Sequence, residues 1–279
     1  MAFLDAPPFF QRIKGNSIPT GQACASIAEE ISKHSLLACS NGSCSLGAGS
    51  LGWVFSMSTG QILSQGAGPV DGHPDLVTSY RSETTSMVAL LYIMHQIYAH
   101  YSLITGSVNC FCDSNGALCS MYGIHKTGIA PFLRSDFDVV TLAHFLLDTI
   151  TVRVTSAWVK GHYSPQIMEP KYIINHAADK RAGSFLSSPP TRFNPCRLPL
   201  VHPEYHVCLE YDSSIVTSSF PCTTSSALHD KPIITHILCK TGWSPQLFKK
   251  LDWLAHGRAF CHLTTLQFIS MSKLIHGMA

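Results

Sequence analysis

The chain has 279 residues, 46% apolar and 13% charged, with a formal net charge of +2. That composition supports a packed core and excludes global disorder, and so small a charge excludes polyanion binding by bulk electrostatics, leaving only a local patch. Eleven cysteines without a CxxC pair and fifteen scattered histidines without an HExxH, no basic-then-apolar leader and no apolar run of about 18 residues predict a reducing, intracellular setting (cytoplasm or nucleus) and no membrane span.

Residues 1–33 are punctuated by Pro, Gly and Ser, with a short helical possibility at "ASIAEEIS", and are read as an N-terminal extension. From Leu36 the pattern turns strand-like. Leu36–Ser40, Ser50–Met57 and Gln61–Pro69 are three short runs joined by Gly-rich turns, with Gly60 at a hairpin corner, which predicts an antiparallel meander. The period then changes. Met87, Leu90, Leu91, Met94, Ile97, Tyr98 and Tyr101 fall at helical spacing, with Thr78 or Ser79 as N-cap and Glu83 in the first turns. "SVNCFCD" predicts a buried strand ending at Asp113, whose Cys110 and Cys112 share a face and read as core thiols. "SNGALCSMYG" predicts a short helix and "HKTGIAPF" a loop. "SDFDVVTLAHFLLDTI" predicts a helix capped by Ser135, "TVRVTSAWVKGH" a strand, and "KYIINHAADKRAGSFL" a closing helix.

The order βββ-α-β-α-α-β-α predicts an α/β module over residues 34–188, a mixed sheet with helices on its faces. Residues 189–232 are Pro/Ser/Thr-rich and read as a linker. Residues 233–279 carry a helical pattern that stops without a cap, as a truncated segment would. Trp53 and Trp158 are expected in the core.

Four positions carry chemistry together: Asn41 at the end of strand one, Glu83 early in the long helix, Asp113 at the end of strand four, and Asp179 in the last helix. With strands one and four adjacent and parallel, all four reach one sheet edge. Carboxylates gathered this way repel unless cations lie between them, and oxygen donors suit hard divalent ions such as Mg²⁺. Taken singly, each position has an ordinary reading. Asp113-Ser114-Asn115-Gly116 is also an Asx turn, Glu83 also a first-turn acid, and Asp179 also a solvated acid beside Lys180 and Arg181. Lys126, Arg134, Lys160 and Lys171 lie in the same half of the module, as phosphate contacts or as a solvated surface.

"SNGS" with "GSLGWVF", "SYRSETTSMVALL", "VNCFCDSNGAL", "AWVKGH" and "NHAADKRAG", in that order, resemble the type 1 ribonuclease H domain. More narrowly, they resemble the version fused to plant- or algal-type retroelement reverse transcriptases. The resemblance implies a five-stranded mixed sheet flanked by helices, with a helical C-terminal extension beyond it. It also implies Mg²⁺- or Mn²⁺-dependent cleavage of an RNA–DNA hybrid, with a reverse-transcriptase domain of the same element as a possible partner. It places Glu83, Asp113 and Asp179 on three of the family's four metal-binding carboxylates, and His162 on a mobile-loop histidine that assists proton transfer or product release. Lys160 and Asn115 fall among its nucleic-acid contacts. Asn41 takes the fourth carboxylate position, where the family has an aspartate bridging both metals. The amide removes a full negative charge, and the expected loss in rate is on the order of 10²-fold or more. Asp71 and Asp75, in the loop before the long helix, are the nearby acids that would have to compensate. The same motifs leave open a catalytically inactive module that binds nucleic acid or serves a structural role.

Overall fold

The computed structural model describes residues 18–72, 77–122, 136–161 and 169–188, with residues 210–211 and 214–216 and isolated positions between 235 and 246. His162, Lys126, Arg134, Ser135 and Asp75 lie outside the described residues, as does most of the 189–279 region. The chain divides into two compact units, Met1–Phe220 and Pro221–Ala279, and the fold described below belongs to the first.

Helix α1 spans Gly21–Ser32, longer than the sequence pattern suggested, because Thr20 accepts a hydrogen bond from the Ala23 amide and caps it. Its apolar stripe of Cys24, Ile27, Ala28 and Ile31 joins the main core. The N-terminal extension therefore contributes to the packing of the module that follows it.

Strands β1 (Leu36–Ser45), β2 (Ala48–Ser56) and β3 (Ile62–Pro69) form the expected meander. Helix α2 (Ser79–His100) follows, capped by Thr78, whose hydroxyl accepts from the Arg81 amide at 3.0 Å. Then come β4 (Ser107–Cys112), α3 (Asn115–Tyr122), α4 (Phe137–Thr149), β5 (Arg153–Trp158) and α5 (Pro170–Leu186). The sheet order is β3-β2-β1-β4-β5. The first three strands are antiparallel, while β1–β4 and β4–β5 are parallel. This mixed five-stranded sheet flanked by helices is the architecture expected from the sequence. Among the described residues, no helix is long and apolar enough to cross a membrane.

The two sheet faces differ. Helix α2 buries residues on nearly all sides, from Met87 through Ile97, and with α1, α3 and α4 covers one face over the large core that includes Trp53, Phe55, Val108 and Leu142. The other face carries α5 over a small cluster of Cys39, Val54, Ile174 and Ala178. Trp53 is fully buried as expected, but Trp158 is not a core residue: it is 55% exposed at the C-terminal end of β5. It sits on an outer strand of the sheet, and its indole N–H donates to the Asp113 carbonyl at 2.9 Å rather than inserting into the core.

Two details near the ends of the module also differ from expectation. Helix α4 is preceded by Asp136 as its cap residue, in a left-handed conformation (φ 53°) and with no side-chain capping bond, because its carboxylate is engaged elsewhere. Within the Pro/Ser/Thr-rich region, β6 (Glu210–Tyr211) and β7 (Ser214–Ile215) pair antiparallel, and Val216 is buried against Phe137.

Candidate metal centre

Strand β1 does not end at Ser40. It runs to Ser45, and Asn41 pairs with Gly52 in the middle of the antiparallel ladder with β2. What ends there is the other partnership: parallel pairing with β4 stops at Cys39↔Phe111. Asn41 is thus the second residue past the point where β1 parts from β4. That opening is where side chains from two parallel strands and two helices meet.

Glycines bring those helices in. A Cβ on Gly42 would lie 2.3 Å from the Glu83 backbone nitrogen, so α2 crosses β1 in near contact. On the opposite face, a Cβ on Gly52 would lie 2.4 Å from the Ala178 carbonyl, and Ser50 Oγ donates to the Ala182 carbonyl at 2.7 Å. Helix α5 therefore lies against β2 with its backbone. The glycine of "SNGS" is a close-approach residue, not a turn residue.

These approaches bring together Asn41, Glu83 and Asp113, and set Asp179 near enough that its charge raises the pKa values of both Glu83 and Asp113. Asn41 Nδ2 donates to Asp113 Oδ2 at 3.1 Å. Asn41 is almost wholly buried, whereas Asp113, Glu83 and Asp179 are half-buried. Burial, first of all, pushes the Glu83 carboxyl up to about 8, and Asp113 adds to this by repulsion. The Gly42 N–H bond opposes the shift. Asp113 is also raised, chiefly by burial, against the opposing hydrogen bonds of Asn41 and Asn175. A site that resists ionisation of its own carboxyls is one that a cation would relieve.

Two participants were not singled out from the sequence. Asn175 is buried; its carbonyl accepts from the Cys39 thiol at 3.3 Å, and it hydrogen-bonds Asp113. Its signal was the i, i+4 spacing to Asp179, which puts both on one face of α5. Cys112, read as a core thiol, is fully buried, yet its sulfur lies 3.9 Å from Glu83 Oε2. Glu83, Cys112 and Asp113 each offer a ligand atom, all within 4.8 Å of one another. Such a set can hold a metal ion, with Asn41 and Asn175 orienting Asp113 from behind.

Lys160 and Asn115 are exposed along the same sheet edge. Asp71 is buried in the turn where its backbone carbonyl accepts from Arg81 Nε at 2.7 Å. Arg81 is itself a finding. Fully buried, it donates through Nη1 to Asp136 (2.9 Å) and Asp138 (2.9 Å) and through Nη2 to Asp138 (2.7 Å). It ties the first turn of α2, two residues before Glu83, to the start of α4.

No protein-family model and no curated protein matches the chain. Among solved structures it is similar to RNase H1 from the halophilic archaeon Halobacterium salinarum NRC-1, at 17% identity over 53% of this chain and 97% of that one, with a TM-score of 0.38. It is also similar to LC11-RNase H1 in complex with an RNA/DNA hybrid, at 13% identity over 55% and 99%, TM-score 0.40. A third is the foamy viral protease-reverse transcriptase in complex with an RNA/DNA hybrid, at 14% identity over 55% and 20%, TM-score 0.41.

Proposed function

We propose that residues 34–188 are a type 1 ribonuclease H-like domain that hydrolyses RNA–DNA hybrids with Mg²⁺ or Mn²⁺, is derived from a retroelement, and is slowed by Asn41. The observation that carries this is the convergence of Glu83, Asp113 and Asp179 with Asn41 where β1 parts from β4. A bound divalent cation supplies an activated water and neutralises charge at the leaving oxygen. The chain's own residues hold it: Glu83 and Asp113 as first ligands, Asp179 from α5, with the Asn41 and Asn175 amides fixing the Asp113 carboxylate. Lys160 and Asn115, both exposed, are assigned to contact the nucleic-acid backbone, and His162 is assigned the proton-transfer or product-release role. Residues 189–232 serve as a linker and 233–279 as a helical C-terminal segment, and a reverse-transcriptase domain of the same element is the partner.

A second reading has its own support. Asn41 presents an N–H where a bridging ligand needs a lone pair, and it occupies one oxygen of Asp113. This favours a module that retains the fold and binds hybrid without turnover. Incubation of the full chain with labelled hybrid, single-stranded RNA and duplex DNA in Mg²⁺ or Mn²⁺ separates the two readings. Hybrid-selective cleavage supports the nuclease. Salt-sensitive binding with no product supports the inactive module.

A further inference from the structure

Asp113 is shaped from β5 as much as from α2 and α5. The parallel β4–β5 ladder ends at Cys112↔Trp158, and just beyond it the Val159 N–H donates to the Cys112 carbonyl at 3.1 Å. The two chains therefore leave the sheet side by side. Trp158 Nε1 donates to the Asp113 carbonyl at 2.9 Å, so an exposed indole holds the Asp113 main chain. Further along, Gly161 lies against the Asp113 side chain: a Cβ there would be 2.6 Å from Oδ2. Gly161 is not in the left-handed region, so backbone conformation does not call for glycine. The space that Oδ2 fills does. That same oxygen accepts from Asn41 Nδ2 at 3.1 Å.

We propose that the exit of β5 sets the Asp113 carboxylate for the cation, with Trp158 and Gly161 as its positioning residues. This rests on the reading of the same centre as a divalent-metal site, and adds two residues to the Asn41 and Asn175 amides already assigned to Asp113. Their contributions are separable. A methyl on Gly161 has to restore a carbon–oxygen contact of about 3.3–3.6 Å, which displaces Oδ2 by about 0.7–1 Å. A binding constellation tolerates about 0.5 Å, so the cation feels the shift. Folding hardly does, because a half-buried carboxylate swings aside without disturbing the core. Loss of the Trp158 N–H acts on the Asp113 main chain instead, and a neutral hydrogen bond of this kind corresponds to about 2- to 10-fold in an equilibrium constant.

Mn²⁺ is the probe, because the free hydrated ion is counted by its electron paramagnetic resonance signal, which is lost on binding. The full chain is titrated without nucleic acid as wild type, Gly161→Ala, Trp158→Phe, Asp113→Asn and Gly183→Ala, and each protein is melted in a chelator. Gly161→Ala should bind Mn²⁺ at least on the order of 10-fold more weakly, as outer-shell changes do, with a thermal midpoint within about 2 °C of wild type. Trp158→Phe keeps an aromatic ring but has no N–H, and should weaken binding by about 2- to 10-fold. Gly183→Ala, whose methyl meets nothing within 4 Å, should bind as wild type does. Affinity and stability thus separate at Gly161, as they would not for a glycine needed only for folding. Wild-type affinity in Gly161→Ala, or a loss matched by a fall of many degrees in its midpoint, overturns the role of Gly161. Wild-type affinity in Trp158→Phe overturns that of Trp158. If Asp113→Asn still weakens binding in either case, the metal centre stands without the clamp. No Mn²⁺ bound by wild type, or binding that Asp113→Asn leaves intact, removes the metal centre and the clamp with it.

Discussion

Glu83→Gln should stabilise the metal-free protein at neutral pH, and the reason lies in where the carboxyl sits. Its ordinary value of 4.5 rises to about 8 in the fold, chiefly through burial and then through repulsion from Asp113. A carboxyl with a raised folded pKa contributes its full stability below the unfolded value and loses it as pH rises toward the folded one. The window is therefore about pH 4.5 to 8. At about 1.4 kcal/mol per unit, the unfolded chain ionises while the folded carboxyl stays protonated, so a little over 3 kcal/mol is lost by neutral pH. Partial solvent access at Glu83 reduces this to about 2 kcal/mol. Glutamine has no charge to bury and can still accept the Gly42 N–H, so the variant lacks this loss. Urea unfolding in a chelator at about pH 5 and about pH 7.5 measures it. Wild type should lose about 2 kcal/mol more than Glu83→Gln between the two. Parallel stability curves for the two proteins would refute the reasoning, because they would mean that Glu83 ionises without cost.

Two other substitutions test the scaffold that positions the centre. Arg81→Leu leaves Asp136 and Asp138 buried without their cation and should cost about 3–5 kcal/mol in urea unfolding; a loss no larger than the roughly 1 kcal/mol of an exposed pair would show that the network is not buried as described. Gly52→Ala should lower stability by about 1–3 kcal/mol through overpacking against the Ala178 carbonyl. Gly183→Ala, on the same helix with nothing within 4 Å of its new methyl, should raise it by about 0.5–1 kcal/mol. Equal thermal shifts for the two would contradict the close approach of α5 to β2.

The strand and helix order was legible from short runs bounded by Gly-rich turns in β1–β3, alternation in β5, and helical spacing in α2 and α4. Glu83, Asp113 and Asp179 were legible only as an ordered set, since each alone is an ordinary surface acid. What could not be read came from tertiary contact. Asn41 looked like a strand end because Gly42 follows it, but that glycine answers to α2 crossing above. Cys112 is the core residue its alternation with Cys110 indicated, but alternation says nothing about the Glu83 carboxylate arriving from another helix. Trp158 carried the apolar signature of a core residue, but it lies on the outermost strand. Arg81 gave no local sign of its burial, because Asp136 and Asp138 are more than fifty residues away in sequence.

The central claim is that this sheet edge is a hybrid-cleaving centre short of one carboxylate. The measurement that tests it most directly is the single-turnover rate of RNA–DNA hybrid cleavage by Asn41→Asp relative to wild type, in Mg²⁺ and in Mn²⁺. The account expects the restored aspartate to cut hybrid at least on the order of 10²-fold faster, with Asp113→Asn abolishing the gain. A folded Asn41→Asp protein that cuts no hybrid with either ion would contradict it.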